Sequence, residues 1–326
     1  MIRLDLSSFI TFSGHRHGWE YCMKSLSKFH SKSGYIFDSF LEKTFCWDLN
    51  DSYRALDKNV PYNKPWIGVL HNPPNAPSWF DSYNSPQALI KKEIFKRSLD
   101  HCLAIVVLSD YLKSWLEERV DVPVVSVKHP TRIPIKKWSA KRFFSSRPRK
   151  ILQIGSWLRN TESFMDLKHT DRYKKLWMPG DHDYAMELLS VQQKNNPNYY
   201  EDKYKWSSVQ ILDYLEPKDY DEILTESIIF LNLFDSSANN AVIEPIAMNT
   251  PLLINKIPPI VEYLGEGYPL YYESTNHAAE LIKQDNKIYD AHLYLKNMDK
   301  KWISATYFAN DLINKLTKAV KSSHEQ

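Results

Sequence analysis

Residues 228–254 read IIFLNLFDSSANNAVIEPIAMNTPLLI. The run opens almost wholly apolar over 228–233, as a strand buried on both faces does. A short polar run, Asp235-Ser236-Ser237-Ala238-Asn239-Asn240, then opens a helix that carries Glu244 about one turn in, and Thr250-Pro251 leads straight into a second apolar strand at 252–254. Strand, polar turn, helix and strand make one unit of an open α/β sheet. In such sheets ligands bind beyond the carboxyl ends of strands, where backbone amides and helix N-termini face an anion. Amides at 237–240 are placed to cradle a pyrophosphate, and a carboxylate one turn later to accept two hydrogen bonds from a ribose diol. A polar turn with a capped helix and a surface glutamate is the plainer alternative.

The same alternation extends outward in both directions. In the second half, strands are expected at 151–154, 174–178 and 209–212, and Pro217 sits where a first helical turn tolerates it, with Asp219, Asp221 and Glu222 suited to the positive end of that helix. In the first half, strands are expected at 8–12, 35–37, 67–70, 104–108 and 124–127. A helix follows the first, with Trp19, Cys22, Met23, Leu26 and Phe29 on one apolar stripe. Another begins at the N-cap Ser109 and buries Tyr111, Leu112, Trp115 and Leu116. Apolar strands alternating with helices predict parallel sheets covered on both sides. The 326 residues suit two such domains. The break at 129–134 and the basic stretch after it place the boundary: a first domain over 1–140, a second over 141–285, and an amphipathic helical segment, 286–326, able to reach back. No repeat of sequence relates the halves.

Composition narrows the class. Hydrophobic residues make up 43% and charged residues 25%, the balance of a globular chain rather than a disordered or fibrous one. No apolar run approaches the roughly 20 residues that cross a bilayer. No basic region followed by a long apolar stretch and a cleavage site marks a secretory signal, so a cytoplasmic location is expected. Cys22, Cys46 and Cys102 show no CxxC or Cys/His metal spacing, which suits a reducing compartment and argues against a structural zinc site. Net charge is only +3, yet residues 136–150 (KKWSAKRFFSSRPRK) hold seven basic residues and no acidic one. With Trp138, Phe143 and Phe144 interleaved, that stretch is a candidate contact for an anionic membrane or nucleic acid, or simply a solvated linker.

The stretch 244–265 resembles the retaining glycosyltransferases of the glycogen synthase and sucrose synthase-like superfamily, called family 4, whose motif is E-G-F-G-x-x-x-x-E-A-M-A-x-G-T-P-V-I. Glu244, Ala247-Met248, Thr250-Pro251 and 252–254 carry the match, followed by 256–265. The family's first glutamate falls at Ser236, with Asp235 beside it. Residues 151–160 resemble the family's strand and G-R-x-x-x-x-K loop, with Gly155 in place, Ser156 where arginine is usual and Thr161 near the lysine position. Arg159 is the one cation of that loop and the first choice for the diphosphate, where transition-state charge develops; surface arginines after strands are also common. The runs 104–112 and 125–131 resemble the family's elements before its interdomain linker.

The resemblance implies the GT-B architecture, two Rossmann-like α/β domains with parallel sheets facing across a cleft, and transfer of a sugar from a UDP- or GDP-type donor to an acceptor hydroxyl in glycan or polysaccharide synthesis. It implies retention, no obligatory metal and no cofactor, with partners limited to the nucleotide-sugar donor and a glycan or other hydroxyl acceptor. Glu244 would bind ribose. His71, ending the strand 67–70, would hydrogen-bond the donor sugar, or serve as a structural turn residue. His71, Asp235 and Arg159 are the catalytic candidates. Gly14, His15, Gly155, Arg159, Tyr214, Ser236, Ser237, Asn239, Asn240 and Glu244 are the donor-side candidates, and His17 and Asn72 the acceptor-side ones. His15 or His17 would be a general base if the enzyme inverts. Asp181-His182-Asp183 has the look of a D-x-D metal motif, but its place before a helix favours capping. The rivals are an inverting transferase on another acceptor such as a modified DNA base, a GT-B epimerase of nucleotide sugars, and a non-catalytic nucleotide-sugar-binding module.

Overall fold

Apolar strands with helical connections build two sheets in the computed structural model, which describes residues 2–7, 18–47, 60–80, 82–168, 171–196 and 208–324. The chain divides into two units. The first comprises Met1–Arg132, Asp235–Asn240 and Lys301–Gln326, and the second Ile133–Phe234 and Ala241–Lys300.

The first unit holds a wholly parallel sheet in the order β1 (Leu4–Asp5), β2 (Tyr35–Asp38), β3 (Trp66–Leu70), β4 (Cys102–Val107), β5 (Val124–Ser126). The first described strand thus lies earlier than the expected 8–12, which falls outside the described residues. At two residues it is too short to show an alternating pattern, and it is registered by Leu4 opposite Tyr35 and Asp5 opposite Ile36. Strand side chains alternate between faces. Ile67, Val69, Ala104 and Val106 pack with Trp19, Cys22 and Met23 of α1 (Trp19–Ser25). Ile105, Val107, Trp66 and Leu70 pack with Leu89 of α2 (Pro86–Lys91), Phe95 of α3 (Glu93–Leu99) and Leu112 and Leu116 of α4 (Asp110–Glu117). Ser109 caps α4 by accepting from the Leu112 amide at 3.2 Å. Gly68 must be glycine, because a Cβ there would meet Leu41 Cδ2 and the Trp66 ring at 2.5 Å. The first of these faces is completed by the C-terminal helix, Ala305–His324, through Phe308, Ala309, Leu312, Ile313 and Leu316.

The second unit holds a wholly parallel sheet of β6 (Arg149–Ile154), β7 (Tyr173–Met178), β8 (Val209–Ile211), β9 (Ser227–Leu231), β10 (Leu252–Asn255) and β11 (Tyr271–Tyr272). Its spatial order is β11-β10-β9-β6-β7-β8. Its helices are α5 (Ala140–Ser145), α6 (Thr161–Asp166), α7 (His182–Asn195), α8 (Pro217–Leu224, with Pro217 in the first turn), α9 (Asn240–Met248), α10 (Pro258–Leu264), α11 (Thr275–Leu281) and α12 (Asp285–Asn297). Asn249 stops α9 at φ 62°, the left-handed position that Gly or Asn occupies at a helix end. Thr250 then anchors the turn, its hydroxyl donating to the Leu224 carbonyl at 2.9 Å.

The basic stretch is built into this unit. Lys136 pairs with Glu222 at 2.7 Å, Arg142 with Glu222 and Glu226 at 2.6 Å each, Arg149 with Asp285 at 2.6 Å, and Lys150 with Glu226. Lys137 donates to the Ala247 carbonyl at 2.8 Å. Trp138 and Phe143 are core residues. Among the described residues, no helix is long and apolar enough to cross a membrane.

Candidate functional site

Counted along the chain from β6, the second sheet runs 3-2-1-4-5-6. This is the doubly wound order, whose chain path reverses between its first and fourth strands. Here those strands are β6 and β9, so the crevice beyond their carboxyl ends is where such a sheet receives a ligand. The segments leaving that point carry Gly155 and Arg159 on one side and Asn232 to Phe234 on the other. They are stitched together: the Asn160 amide donates to Asn232 O at 2.7 Å and the Phe234 amide to Leu158 O at 3.0 Å. Gln192, buried on α7, donates to Arg159 O at 2.6 Å and accepts the Thr161 amide at 3.0 Å, while Asn160 caps α6 through the Ser163 amide. The loop's shape is therefore over-determined before any ligand arrives.

Gly155 takes φ 77°, and the Arg159 guanidinium lies over it, 3.4–3.5 Å from where a Cβ would stand. Arg159 Nε donates to Ile154 O at 3.2 Å and Nη1 to Trp157 O at 2.5 Å. Burial is the main influence on this cation, lowering its affinity for its proton to about 10, and Tyr220 of α8 opposes that shift. Tyr220 in turn donates its hydroxyl to Glu244 Oε2 at 2.5 Å, and Glu244, on α9, is only 7% exposed. One phenol and one carboxylate are thus hydrogen-bonded, with the Arg159 guanidinium in electrostatic reach of the phenol. Tyr214, after β8, is 66% exposed.

In the first unit, His71 and Asn72 follow β3. Both backbone amides donate to Oε1 of the fully buried Glu42, at 2.7 and 2.6 Å, and Glu42 Oε2 has no partner among the described residues. Burial drives the Glu42 carboxyl up to about 7 and the His71 imidazole down to about 3. The His71 ring stacks on Phe40 at 4.2 Å and meets the edge of Trp19 at 4.6 Å, and its Nε2–H donates to Ser39 O at 3.0 Å. The ring is therefore a neutral imidazole with Nδ1 as an acceptor. Asn72 Nδ2 donates to Asn84 O at 2.9 Å. The segment 235–240 belongs to this unit as well. Asp235 accepts from the Asn75 amide at 2.6 Å, the Ser236 amide at 2.8 Å and the Tyr111 hydroxyl at 3.3 Å, burial raising its carboxyl above the usual range. Ser237 and Ser109 hydroxyls lie 3.3 Å apart.

No protein-family model matches the chain, and no curated protein matches its sequence. Solved structures do match its shape. TarM of S. aureus, solved as a mutant with fondaparinux, α-GlcNAc-glycerol and UDP, aligns at TM-score 0.59 and 11% identity over 91% of this chain and 58% of that one. A sucrose-phosphate synthase from Thermosynechococcus elongatus aligns at 0.58 and 11% over 87% and 74%. A UDP-forming α,α-trehalose-phosphate synthase from Burkholderia vietnamiensis aligns at 0.53 and 12% over 89% and 73%. Two parallel α/β units among the described residues, matched in shape by these structures, decide the architecture. The chain has the GT-B fold. It spans 58% of the length of the S. aureus protein.

Within this GT-B chain the expected residues fall in two groups. Gly155, Arg159, Tyr214 and Glu244 lie in the second unit, with Tyr220 bonded to Glu244 and in electrostatic reach of Arg159. His71, Asn72, Asp235, Ser236, Ser237, Asn239 and Asn240 lie in the first. Ser236 and Ser237 are buried at 4% and 2%, while Asn239 and Asn240 are half-buried. Gly14, His15 and His17 lie outside the described residues. Asp181 caps α7 by accepting the Tyr184 amide at 3.0 Å, and no His/Cys/Asp/Glu cluster able to hold a metal occurs among the described residues. Tyr220, Glu42, Asn75 and Tyr111 were not legible as site residues. The acidic first turn around Tyr220 points to helix chemistry alone, and nothing local marks a tyrosine as the partner of a glutamate 24 positions on.

Proposed function

We propose that this chain is a glycosyltransferase that moves a sugar from a nucleoside diphosphate sugar, UDP in the first instance, to an acceptor hydroxyl. The observation that carries the reading is the pairing, at the switch point of a doubly wound sheet, of a cation suited to a diphosphate, Arg159, with a buried carboxylate suited to a ribose diol, Glu244. The named structures support the donor class: one holds UDP and another is UDP-forming.

In the reaction the bond between the anomeric carbon and the β-phosphate oxygen breaks, and its electrons stay on the departing diphosphate. A guanidinium placed at that phosphate stabilises the charge most where it is largest, in the transition state. With the cation supplied by the protein, the transfer needs no metal. The acceptor oxygen bonds to the anomeric carbon on the face the phosphate leaves, and its proton passes to the departing phosphate oxygen, which gives retention. His71, neutral and offering Nδ1, suits a sugar hydroxyl. The free thiols Cys22, Cys46 and Cys102 suit a reducing, cytoplasmic setting. The basic stretch is not assigned to a membrane or nucleic acid, since most of its cations are held by Glu222, Glu226 and Asp285.

Thermal melting with UDP, GDP, ADP, CMP and their sugar conjugates tests the reading, because a ligand of the native state raises the melting temperature. A shift with UDP and UDP-sugars is expected, followed by transfer that EDTA leaves unchanged and a product of retained anomeric configuration. No shift with any nucleoside diphosphate overturns the donor assignment. Loss of transfer in EDTA overturns the metal-free route.

A further inference from the structure

A glutamate on a helix has three side-chain torsions to order before it can receive a ligand, and a mobile carboxylate selects poorly between ligands that differ by a hydroxyl. Glu244 is held by a tyrosine that reaches it from a different helix. The Tyr220 phenol donates to Oε2 at 2.5 Å. Tyr220 is well made for this: its rigid ring has two torsions, it is half-buried on α8, and that helix starts rigidly at Pro217. Each carboxylate oxygen accepts two hydrogen bonds, so a phenol on Oε2 fixes the plane of the group and leaves it able to accept from a ligand. The same ring lies in electrostatic reach of Arg159.

We infer that Tyr220 is a positioning residue that sets the Glu244 carboxylate for a ribose hydroxyl, and thereby determines how strongly this site prefers a ribonucleotide to one lacking its 2′ and 3′ hydroxyls. The inference rests on the donor-site reading above. A merely structural phenol, tying α8 to α9, would act alike on every ligand of the unit. A positioning phenol acts only on those that carry the hydroxyls.

Calorimetric titration of UDP and 2′,3′-dideoxy-UDP separates the two. The wild-type chain is expected to favour UDP by about 10-fold or more, the scale of one or two hydrogen bonds to a charged group. Tyr220→Phe is expected to lose about 5- to 10-fold of affinity for UDP and less than about 2-fold for the dideoxy probe. In the Glu244→Ala background the same change is expected to do nothing more, since the phenol acts through the carboxylate. Undiminished preference in Tyr220→Phe, or equal losses for both probes, overturns the inference and leaves the ribose assignment standing. A wild-type chain that takes both probes alike, or neither, overturns that assignment first, before any substitution is made. Should Tyr220→Phe melt below the working temperature, both probes are titrated below its melting temperature, with wild type measured again there, and the same outcomes decide.

Discussion

Glu42 holds the turn that presents His71. Its Oε1 gathers two amide donors at the end of β3, and its Oε2 has none among the described residues, so the ionised form is poorly compensated and burial raises its pKa from 4.5 to about 7. Between those values the folded chain keeps a proton that the unfolded chain has released, so this group makes stability fall as pH rises from 4.5 to 7, by at most roughly 1.4 kcal/mol per pH unit. His71 does the opposite. With its folded value near 3 and its ordinary value 6.5, the unfolded chain binds the extra proton between them, and stability rises with pH there. The two contributions oppose each other, so Glu42 is read by difference. Glu42→Gln keeps an acceptor for both amides and removes the titration. Its melting temperature relative to wild type is expected to climb as pH goes from 5 to 7.5. A pH-independent difference would show that Glu42 is ionised throughout.

At the scale of an element, the loop between β6 and α6 decides where the Arg159 cation stands. It turns on two left-handed residues, Gly155 and Leu158, and is tied to the end of β9 by backbone hydrogen bonds. Gly155→Ala puts a Cβ on a residue at φ 77° and against the guanidinium, at a cost of about 1–2 kcal/mol. Lower melting temperature and weaker UDP binding are expected together, because the strain and the displaced cation share one loop. Weaker melting with unchanged UDP affinity would separate the loop from the phosphate. The carboxylate on α9 accepts a phenol from another helix.

Across the whole molecule, the chain leaves the first unit after Arg132 and returns to it twice, at Asp235–Asn240 and at Lys301–Gln326. The second return supplies Phe308, Ala309, Leu312, Ile313 and Leu316 to the face formed by Ile67, Val69, Ala104 and Val106. A large apolar side chain contributes about 1.5–3 kcal/mol when fully buried, against a total stability of about 5–15 kcal/mol for a domain. A chain ending at residue 300 is therefore expected to lose amide protection in β3 and β4 while β6 and β9 keep theirs, read by hydrogen exchange. Full protection of β3 and β4 in that chain would show the C-terminal helix to be dispensable.

Much of this was legible locally. The runs 35–37, 67–70, 104–108, 151–154 and 228–233 mark strands because burial on both faces demands mostly apolar residues, and the structure places strands at 35–38, 66–70, 102–107, 149–154 and 227–231; Ser109 and Pro217 mark helix starts because their chemistry is satisfied within one turn. Arg159 and Glu244 could be singled out because each follows a strand at a short, countable distance. The two-residue strands β1 and β11 carry no period to read. What only the tertiary structure decided depends on partners distant along the chain: the 3-2-1-4-5-6 strand order that makes one pair of loops the switch point, the docking of 235–240 with the first unit, the burial of Glu42 beneath the His71 turn, and the phenol that holds Glu244. The hydrophobic effect drives strands and helices together without direction. Which polar groups then meet is set by packing geometry, and that is written in no single stretch of residues.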